Sequence, residues 1–576
     1  MKVKRSLVLL LAVIFVLSFA IAGCGTSQTS GNSTAASDQT PAAGTGAAAS
    51  TAPQEEKLPP IEISVFISDP GLQAPTSDNA VYKMIQDKLG VTFKWDFLVG
   101  DKDQKIGVMT AGGDYPDLLF VDTFSNPKFM AAGALIPLDD LMKNNAPNLY
   151  AHYKPVWNMA KNSDDGKFYI MPDYGVYTGE YKTMTWEGPA FWLQKAVIAE
   201  AGYPALPKTL DEYFNLIEQY KAKHPTIDGQ PTIGFETLCE GWRDFCLKNP
   251  PEHLSGHPND GGVVVDDNLA KVFADSDYAK AYYQKLNEEM QKGIMDPEFF
   301  SLTYDQYIAK LSSGAVLGMF DQHWNYGGNA ELNLKNANKD DKTWVPCELT
   351  LPGYKPFYQD RPVVNVNTGF AITKSCKDPA RVIKFFDSIM TEEWQKILGW
   401  GVEGKDYTVG GDGKYTLTTE QANQNNDTSY RLANRAYTLW YYGPKMEGTY
   451  SDGNATSPGF QPSVFYDSLH QYDKDFLEKY NYKCWTDFLT PAPPNRISYP
   501  AWQIDLVSNS PASLASTKMG ELGTKYLPKL ILSKSDKFDG IWTEYVNELH
   551  KCDIKAYEDR INSQLQWRDQ NWSPTN

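Results

Sequence analysis

Positive charge is scarce in this chain: 54 lysines and arginines stand against 71 aspartates and glutamates, for a net charge of −17. Nucleic acids and anionic membrane faces favour clustered lysine and arginine, so neither is expected as a partner. The sequence also lacks the Gly-x4-Gly-Lys-Ser/Thr loop that binds ATP phosphates, the Gly-x-Ser-x-Gly elbow and the His-Glu-x-x-His helix. These absences exclude a P-loop ATPase and leave two common kinds of hydrolase without support.

Long apolar runs are also few, and the clearest one stands at the N-terminus. Two basic residues precede an apolar stretch of about 15 residues from Leu7 to Ile21, which is short for a membrane-spanning helix of roughly 20. This pattern predicts an export signal over residues 1–23. The sequence Ile21-Ala-Gly-Cys24 resembles the lipobox of bacterial lipoproteins, in which cleavage leaves a cysteine that carries diacylglycerol. We expect lipidation at Cys24; the alternative is an ordinary secreted protein in which this cysteine is incidental.

The segment after the signal has almost nothing to bury. Residues 24–57 are dominated by Gly, Ser, Thr, Ala, Gln and Pro, so they are predicted to form a disordered linker. A flexible coil of this kind spans about 30–35 Å. The expected arrangement is a water-soluble monomer that is tethered by lipid to the outer face of the cell membrane and is free to swivel on its linker.

Cysteine is sparse and dispersed. Outside the cell the six cysteines after Cys24 could pair, yet their spacing is not that of a disulfide framework; they are Cys239, Cys246, Cys347, Cys376, Cys484 and Cys552. Cys239 and Cys246 are the most plausible bridge because they are close in sequence. The same stretch continues to His253 and His257, but zinc sites usually separate paired cysteines by two to four residues, so no metal is predicted there.

Aromatic residues, by contrast, are plentiful: 15 Trp, 34 Tyr and 26 Phe. Most aromatic side chains serve hydrophobic cores. A surplus of Trp and Tyr is also typical of carbohydrate clefts, because their faces stack on the C–H faces of sugar rings. The body of about 515 residues is too long for a single small core and predicts two or more lobes.

The start of the body follows an α/β pattern. Residues 61–67 read as a buried strand, residues 81–89 as a helix stopped by Gly90, and residues 91–97 as a second strand. Strand, helix and strand in this order predict a right-handed parallel unit. Asp117–Asp122 is predicted to be a further buried strand.

Several later segments resemble one family. Thr110-Ala-Gly-Gly-Asp-Tyr-Pro-Asp-Leu-Leu-Phe120, residues 133–141 and 166–172, the Pro-Lys-Thr segment at 207–214 and the strand leading to Trp324 are similar to extracellular solute-binding lipoproteins of carbohydrate ABC importers, closest to the LplA type. The resemblance covers about residues 60–410. Thr209 with Glu212, and Thr303 with Gln306, are predicted capping boxes. Some family members carry a calcium loop after the first of these helices, but residues 225–231 retain too few oxygen ligands for it.

The resemblance implies the type II periplasmic-binding-protein fold, an α/β architecture in which two lobes are joined by crossover segments and enclose the ligand. The predicted first lobe is 58–184 plus 363–430, and the second is 185–362 plus 431–576. No cofactor and no metal are expected.

If a ligand lies between the lobes, polar and aromatic residues directly after buried strands are the candidates, because ligands of open α/β sheets sit beyond the carboxyl ends of strands. For any tryptophan the competing interpretation is core packing, and for Asp69 it is turn stabilisation. The candidate ligand-binding residues are Asp69, Asp122, Trp186, Glu187, Trp242, Arg243, Trp324, Asn325, Trp400 and Trp440.

The resulting functional prediction is capture of an oligosaccharide outside the cell and its delivery to the permease subunits of an ABC importer, with no chemistry of its own. Lobe closure would occur by hinge motion. A cell-surface glycoside hydrolase with two flanking carboxylates is one alternative. An oligopeptide-binding protein of similar size is another.

Overall fold

The computed structural model describes residues 58–70, 73–181, 183–360, 363–492 and 500–572. The predicted signal, the predicted lipidation site Cys24 and the whole predicted linker lie outside these residues. The strands are β1 (Ile61–Pro70), β2 (Val91–Leu98), β3 (Leu118–Val121), β4 (Ile170–Pro172), β5 (Tyr177–Thr178), β6 (Pro189–Gln194), β7 (Thr226–Ile227), β8 (Gln230–Pro231), β9 (Ile233–Glu236), β10 (Val263–Asp266), β11 (Leu269–Val272), β12 (Val316–Gln322), β13 (Trp344–Cys347), β14 (Gly369–Ile372), β15 (Thr408–Val409), β16 (Tyr415–Thr416) and β17 (Glu447–Gly448).

The α-helices alternate with these strands up to β17 and dominate the last hundred residues. They are α1 (Ala80–Leu89), α2 (Lys102–Gly112), α3 (Asn126–Ala131), α4 (Asp139–Asn145), α5 (Pro147–Tyr153), α6 (Lys195–Glu200), α7 (Leu210–Lys223), α8 (Phe245–Lys248), α9 (Pro250–Leu254), α10 (Asp277–Gln291), α11 (Tyr304–Ser313), α12 (His323–Tyr326), α13 (Leu332–Asn336), α14 (Pro379–Ile389), α15 (Glu392–Gly399), α16 (Thr419–Asn426), α17 (Thr428–Asn434), α18 (Tyr437–Tyr442), α19 (Pro462–Ser468), α20 (Gln471–Lys479), α21 (Pro511–Leu532), α22 (Phe538–Leu549) and α23 (Ile554–Asn571).

The first lobe is built on a five-stranded sheet in the order β2-β1-β3-β14-β4. β1 is parallel to β2, as predicted, and also to β3, whereas β14 is antiparallel to β3 and β4. Val65 and Ile67 face one core, whereas Phe66 faces a second core on the other side of the sheet. Burial on both faces explains why Val65, Phe66 and Ile67 are apolar in succession.

The first helix of this lobe lies within one residue of its predicted range and ends at Gly90, as predicted. The Asn79 side chain accepts from two backbone N–H groups at the start of α1, and Gly90 ends that helix with φ of 66°. Val382, Phe385 and Phe386 of α14 are buried against the same sheet. The apolar spacing of both helices therefore forms the inner face that covers the sheet.

The second lobe is built on a four-stranded sheet in the order β13-β6-β12-β9. β9 and β12 are parallel, and β6 is antiparallel to β12 and β13. Tyr213 of α7 packs over this sheet, where the absence of a side chain at Gly318 leaves room for its ring. Both predicted capping boxes are present, at the starts of α7 and α11.

Three connections join the lobes. The chain leaves the first core after Val176 and enters the second core at Met184; it returns between Tyr358 and Val364. β5 of the first connection pairs in parallel with β17 of the third, so two connections lie side by side. The lobe boundaries remain a prediction, but α18 packs in the first core, and this places the third connection later than residue 430.

The last helices belong to the second lobe. α21 packs against α10 and α23, and the Asn287 side chain of α10 donates to three carbonyl groups at the end of α21. The hairpin of β10 and β11 packs on α23. In the described part of the chain, no helix has the length and apolar character needed to cross a bilayer.

All six cysteines after Cys24 are free thiols, so the bridge considered between Cys239 and Cys246 is not formed. Cys246 instead donates to the Asp321 carboxylate across 3.3 Å. His253 is buried and stacks on Tyr358 at a centroid distance of 5.1 Å. Across the described ranges no group of three or more His, Cys, Asp or Glu side chains is arranged to hold a metal ion.

Candidate functional site

A cavity of about 710 Å³ lies at the seam of the two lobes, beside the three connections. We call it the seam cavity. Its described walls come from the end of β4 and β5, from the second connection, from β17 and from second-lobe loops. The aromatic lining residues are Tyr174, Tyr177, Tyr181, Trp186 and Trp502, and the polar ones are Thr183, Asn259, Gln359, Asp360, Glu447, Thr486, Asp487 and Gln503.

The side of the seam cavity next to the connections is acidic. The Glu447 carboxylate of β17 accepts a hydrogen bond from the backbone N–H of Gly175, which ties the third connection to the first. Burial raises the pKa of Glu447, although Lys445 lowers it. Burial likewise raises the pKa of Asp173, just after β4, to about 7. Glu447 lines this wall and offers it a hydrogen-bonding carboxyl group, whereas Asp173 does not belong to the described lining.

Trp186 forms the second-lobe wall of the seam cavity. Its indole Nε1 donates to the Pro189 carbonyl across 2.9 Å, and its ring lies directly over Gly188, where any Cβ would clash. The ring is therefore held at the start of β6 with part of its surface free. The indole comes so close to residue 188 that only glycine fits there.

Glu187, the next residue, is held by a partly buried histidine. His323 Nδ1 lies 2.9 Å from Glu187 Oε2, and His323 Nε2 lies 3.1 Å from Glu331 Oε2. Burial alone would lower the pKa of His323, but the two carboxylates outweigh it and raise this pKa to about 10. The protonated imidazole therefore clamps the loop that carries Trp186 to the end of β12.

An exposed aromatic platform continues along the same sheet edge. Trp324 and Trp242 stack with centroids 5.9 Å apart and planes 10° from parallel, and their exposed fractions are 47% and 63%. The Arg243 guanidinium lies over the rings of both Trp242 and Tyr304. The backbone N–H of Trp324 donates to the Glu187 carbonyl across 3.2 Å, and this bond joins the platform to the loop of Trp186.

Asn325 supports this platform from below. It is buried, its amide donates to the carboxylate of Asp321, and its Oδ1 accepts from Arg243 Nε across 3.1 Å. Burial raises the pKa of Asp321 to about 6, although several hydrogen bonds to the carboxylate lower it. Trp186, Glu187, Trp242, Arg243, Trp324 and Asn325 are thus brought together at one edge, with Asn325 and Arg243 as supports.

The two first-lobe candidates are engaged with their own lobe. The Asp69 carboxylate accepts from the Tyr442 hydroxyl across 2.8 Å. Asp122 accepts from the backbone N–H groups of Phe124 and Ser125, as a turn-stabilising residue does, and pairs with Lys102. Neither residue belongs to the described lining of the seam cavity.

Two of the predicted ligand-binding tryptophans, Trp400 and Trp440, do not belong to the described lining of the seam cavity. Trp400 is fully buried in a separate aromatic core with Tyr407 and Tyr415, and its Nε1 donates to the Ala455 carbonyl across 2.8 Å. Its assignment as a ligand-binding residue is corrected to core packing, because no face of the ring reaches solvent. Trp440 packs on the backbone at Gly399, away from the described lining.

The sequence interpretation missed most of the lining. Tyr174, Tyr177 and Tyr181 recur shortly before the predicted first crossing, and this spacing was a usable signal. Glu447 and Trp502 had no comparable signal, since each reaches the seam cavity only through the way distant connections pack together.

Residues 80–399, more than half of the chain, match the family described as bacterial extracellular solute-binding protein. The fructooligosaccharide ABC transporter substrate-binding protein FusA of Streptococcus pneumoniae is 26% identical over 241 residues, 41% of this chain and 44% of that protein. The chain thus aligns with less than half the length of that relative. The polygalacturonan/rhamnogalacturonan-binding protein YtcQ of Bacillus subtilis is 24% identical over 440 residues, 72% of this chain and 76% of that protein.

Solved structures share the architecture. FusA of S. pneumoniae in complex with kestose has a TM-score of 0.61 at 18% identity, covering 89% of this chain and 100% of that one. An HMO-binding ABC-transporter-associated solute-binding protein from Bifidobacterium longum infantis has a TM-score of 0.62 at 15% identity, covering 88% and 99%. The predicted type II periplasmic-binding-protein fold is therefore confirmed. By its sequence match over residues 80–399, this chain belongs to the bacterial extracellular solute-binding protein family.

Proposed function

We propose that this protein captures an oligosaccharide outside the cell and delivers it uncut to the permease of an ABC importer. The observation that carries the proposal is the aromatic-lined seam cavity between two lobes of a solute-binding fold. Its volume of about 710 Å³ lies within the range of ligand pockets, roughly 300–1,000 Å³. Trp186 and the three tyrosines offer faces to sugar rings, and the carboxyl and amide groups among them offer hydrogen bonds to hydroxyls.

The relatives support the same class of ligand. The pneumococcal relative is described as the substrate-binding protein of a fructooligosaccharide ABC transporter, and the Bacillus relative as a polygalacturonan/rhamnogalacturonan-binding protein. The Trp324–Trp242 platform extends the edge on which Trp186 lies and suits a chain of sugars better than a single one. We assign Trp186, Glu187, Trp324 and Trp242 to this ligand surface.

Extracytoplasmic location is a property of the family, and we further propose that lipid on Cys24 anchors this member to the membrane. A relative from Bacillus subtilis, 22% identical over 361 residues, is described as lipoprotein LipO. Radiolabelled palmitate should enter the parent protein and not Cys24→Ser. Equal labelling of the two proteins would contradict the anchor.

Binding can be tested with the chain from residue 58 onward. Kestose, trigalacturonate and a tripeptide mixture are each titrated while tryptophan fluorescence is followed, and the bound sugar is then recovered and sized. One of the two sugars should give a saturable change and be recovered intact. Recovery of shorter sugars would favour the glycoside hydrolase, and a response to peptides alone would favour the oligopeptide-binding alternative.

The seam cavity itself is tested by substitution. Trp186→Ala should weaken sugar binding about tenfold, from the loss of roughly 1.5 kcal/mol of aromatic contact. Tyr466→Ala is the matched control, because Tyr466 is 45% exposed and lies outside the described lining. Equal affinity of Trp186→Ala and the control would place the ligand elsewhere.

A further inference from the structure

Residues 500–506 run along the lobe seam and are held firmly by the second lobe. The Trp502 N–H donates to the Asp260 carbonyl across 3.0 Å. Arg568 and Arg560 of α23 donate to backbone carbonyls near the two ends of the segment, across 2.8 Å and 3.1–3.2 Å. Apolar side chains of the segment pack with the hairpin of β10 and β11. The segment therefore moves with the second lobe.

The same segment makes hydrogen bonds to the first lobe. Asn126 Nδ2 donates to Asp505 Oδ2 across 3.0 Å, and Asn367 Nδ2 donates to Asp505 Oδ1 across 3.2 Å and to the Gln503 carbonyl. Asn126 begins α3 just after β3, and Asn367 lies just before β14. Both amides therefore stand at the edge of the first sheet that faces the seam, and one carboxylate accepts from both.

We propose that Asp505 is an interlobe latch: carried by the second lobe, it accepts hydrogen bonds from Asn126 and Asn367 of the first lobe and holds the two lobes closed whether or not a sugar is bound. The latch is independent of the proposed ligand and goes beyond it. Because Trp502 and Gln503 of the same segment line the seam cavity, closing the latch also completes one wall of that cavity.

The chemistry of the contact favours such a role. Asp505 has one amide donor on each oxygen, so two hydrogen bonds cross the seam to this one side chain. The charged groups facing Asp505 are Arg560 and Arg568 of α23 and Asp164 of the first lobe. Arg560 also lies 3.8 Å from Asp164, a second polar contact across the seam. Opening would break the two amide hydrogen bonds and the Arg560–Asp164 contact, so each adds to the stability of the closed arrangement.

The latch can be tested without any sugar. Fluorophores are attached through azido amino acids introduced at the exposed positions Lys94 and Asp267, one in each lobe, in the full-length protein in detergent, and the interlobe distance is measured by energy transfer. Asn126→Asp places two carboxylates face to face and should shift the closed-to-open ratio at least tenfold toward open. Asp505→Ala should also favour the open form.

The decisive variant exchanges the two groups. In Asn126→Asp combined with Asp505→Asn, the amide nitrogen at position 505 can donate to the carboxylate at position 126, and the amide oxygen at 505 can still accept from Asn367. The parental interlobe distance should therefore return. Asp266→Asn is the matched control, since its carboxylate pairs with His257 inside the second lobe. A parental distance in Asn126→Asp, or failure of the exchange to restore closure, would overturn the latch. Thermal melting is recorded for each variant, and if Asn126→Asp does not fold, the shift in Asp505→Ala against the control decides.

Discussion

Replacing His323 by glutamine should flatten the loss of stability that we expect between pH 7 and pH 9. His323 lies between the carboxylates of Glu187 and Glu331, and its pKa is raised to about 10 despite its burial. The folded protein therefore binds this proton more tightly than the unfolded chain, whose histidine pKa is about 6.5. The stabilisation is complete below pH 6.5 and is lost as the pH rises through 10.

The size of the effect follows from the number of protons. One proton contributes at most about 1.4 kcal/mol per pH unit, or about 3 kcal/mol between pH 7 and pH 9. The side chain of His323 is only 14% exposed, but that of Glu187 is 58% exposed, and water screens its share. We therefore expect about 2 kcal/mol. For a lobe of 150–250 residues this corresponds to a difference in melting temperature of about 4–8 °C.

The assay is thermal melting of the parent and His323→Gln at pH 7, 8 and 9. Buried tyrosines and cysteines also titrate at high pH, but they are the same in both proteins and cancel in the difference. His550→Gln is the control, since His550 is 56% exposed and pairs with Asp275 at the surface. A difference between parent and His323→Gln that stays within 1 °C over this pH range would refute the reasoning.

Three further outcomes are expected. Gly175 has a φ of +87°, and a backbone oxygen lies 2.5 Å from where its Cβ would be, whereas Gly166 has a φ of +70° and no atom within 4 Å of its Cβ position. Gly175→Ala should therefore lower the free energy of unfolding, measured by urea denaturation, by about 1–3 kcal/mol more than Gly166→Ala. Lys195→Met leaves the buried Asp473 carboxylate without its nearest partner and should lower the free energy of unfolding, followed by thermal melting, by about 3–5 kcal/mol. The double variant Lys195→Met with Asp473→Leu should recover much of this stability. Burial raises the pKa of Asp505 to about 7, so the closed form holds a proton that is released when the latch opens into water. The lobes should therefore separate more readily as the pH rises from 4 to 7. In Asp505→Asn the interlobe distance should no longer depend on pH in this range.

Local patterns in the sequence predicted local structure well. The strand, helix and strand at residues 61–98, the cap at Gly90 and the boxes at Thr209 and Thr303 are all present. Each depends on backbone preferences and hydrogen bonds within a few residues, so the sequence contains the whole cause. The family resemblance then supplied the two-lobed fold, which periodicity alone does not specify.

The tryptophans show where such reasoning stops. Trp324 and Trp400 each end an apolar element next to a glycine or polar residue, yet one is 47% exposed and the other is fully buried. The difference is made by β15, β16 and the chain near Ala455, which cover Trp400 from far along the sequence. The residues next to Trp400 in the sequence do not determine that it is buried in this way.

What the sequence by itself determined is the set of elements, their amphipathic faces and the membership of the chain in its family, because these depend on short-range spacing. The seam cavity and the latch were decided only by the tertiary structure: β5 meets β17, and Asp505 meets Asn126, across several hundred residues. Such contacts depend on which surfaces remain available after each lobe has buried its own core. No local preference of the residues involved specifies them in advance.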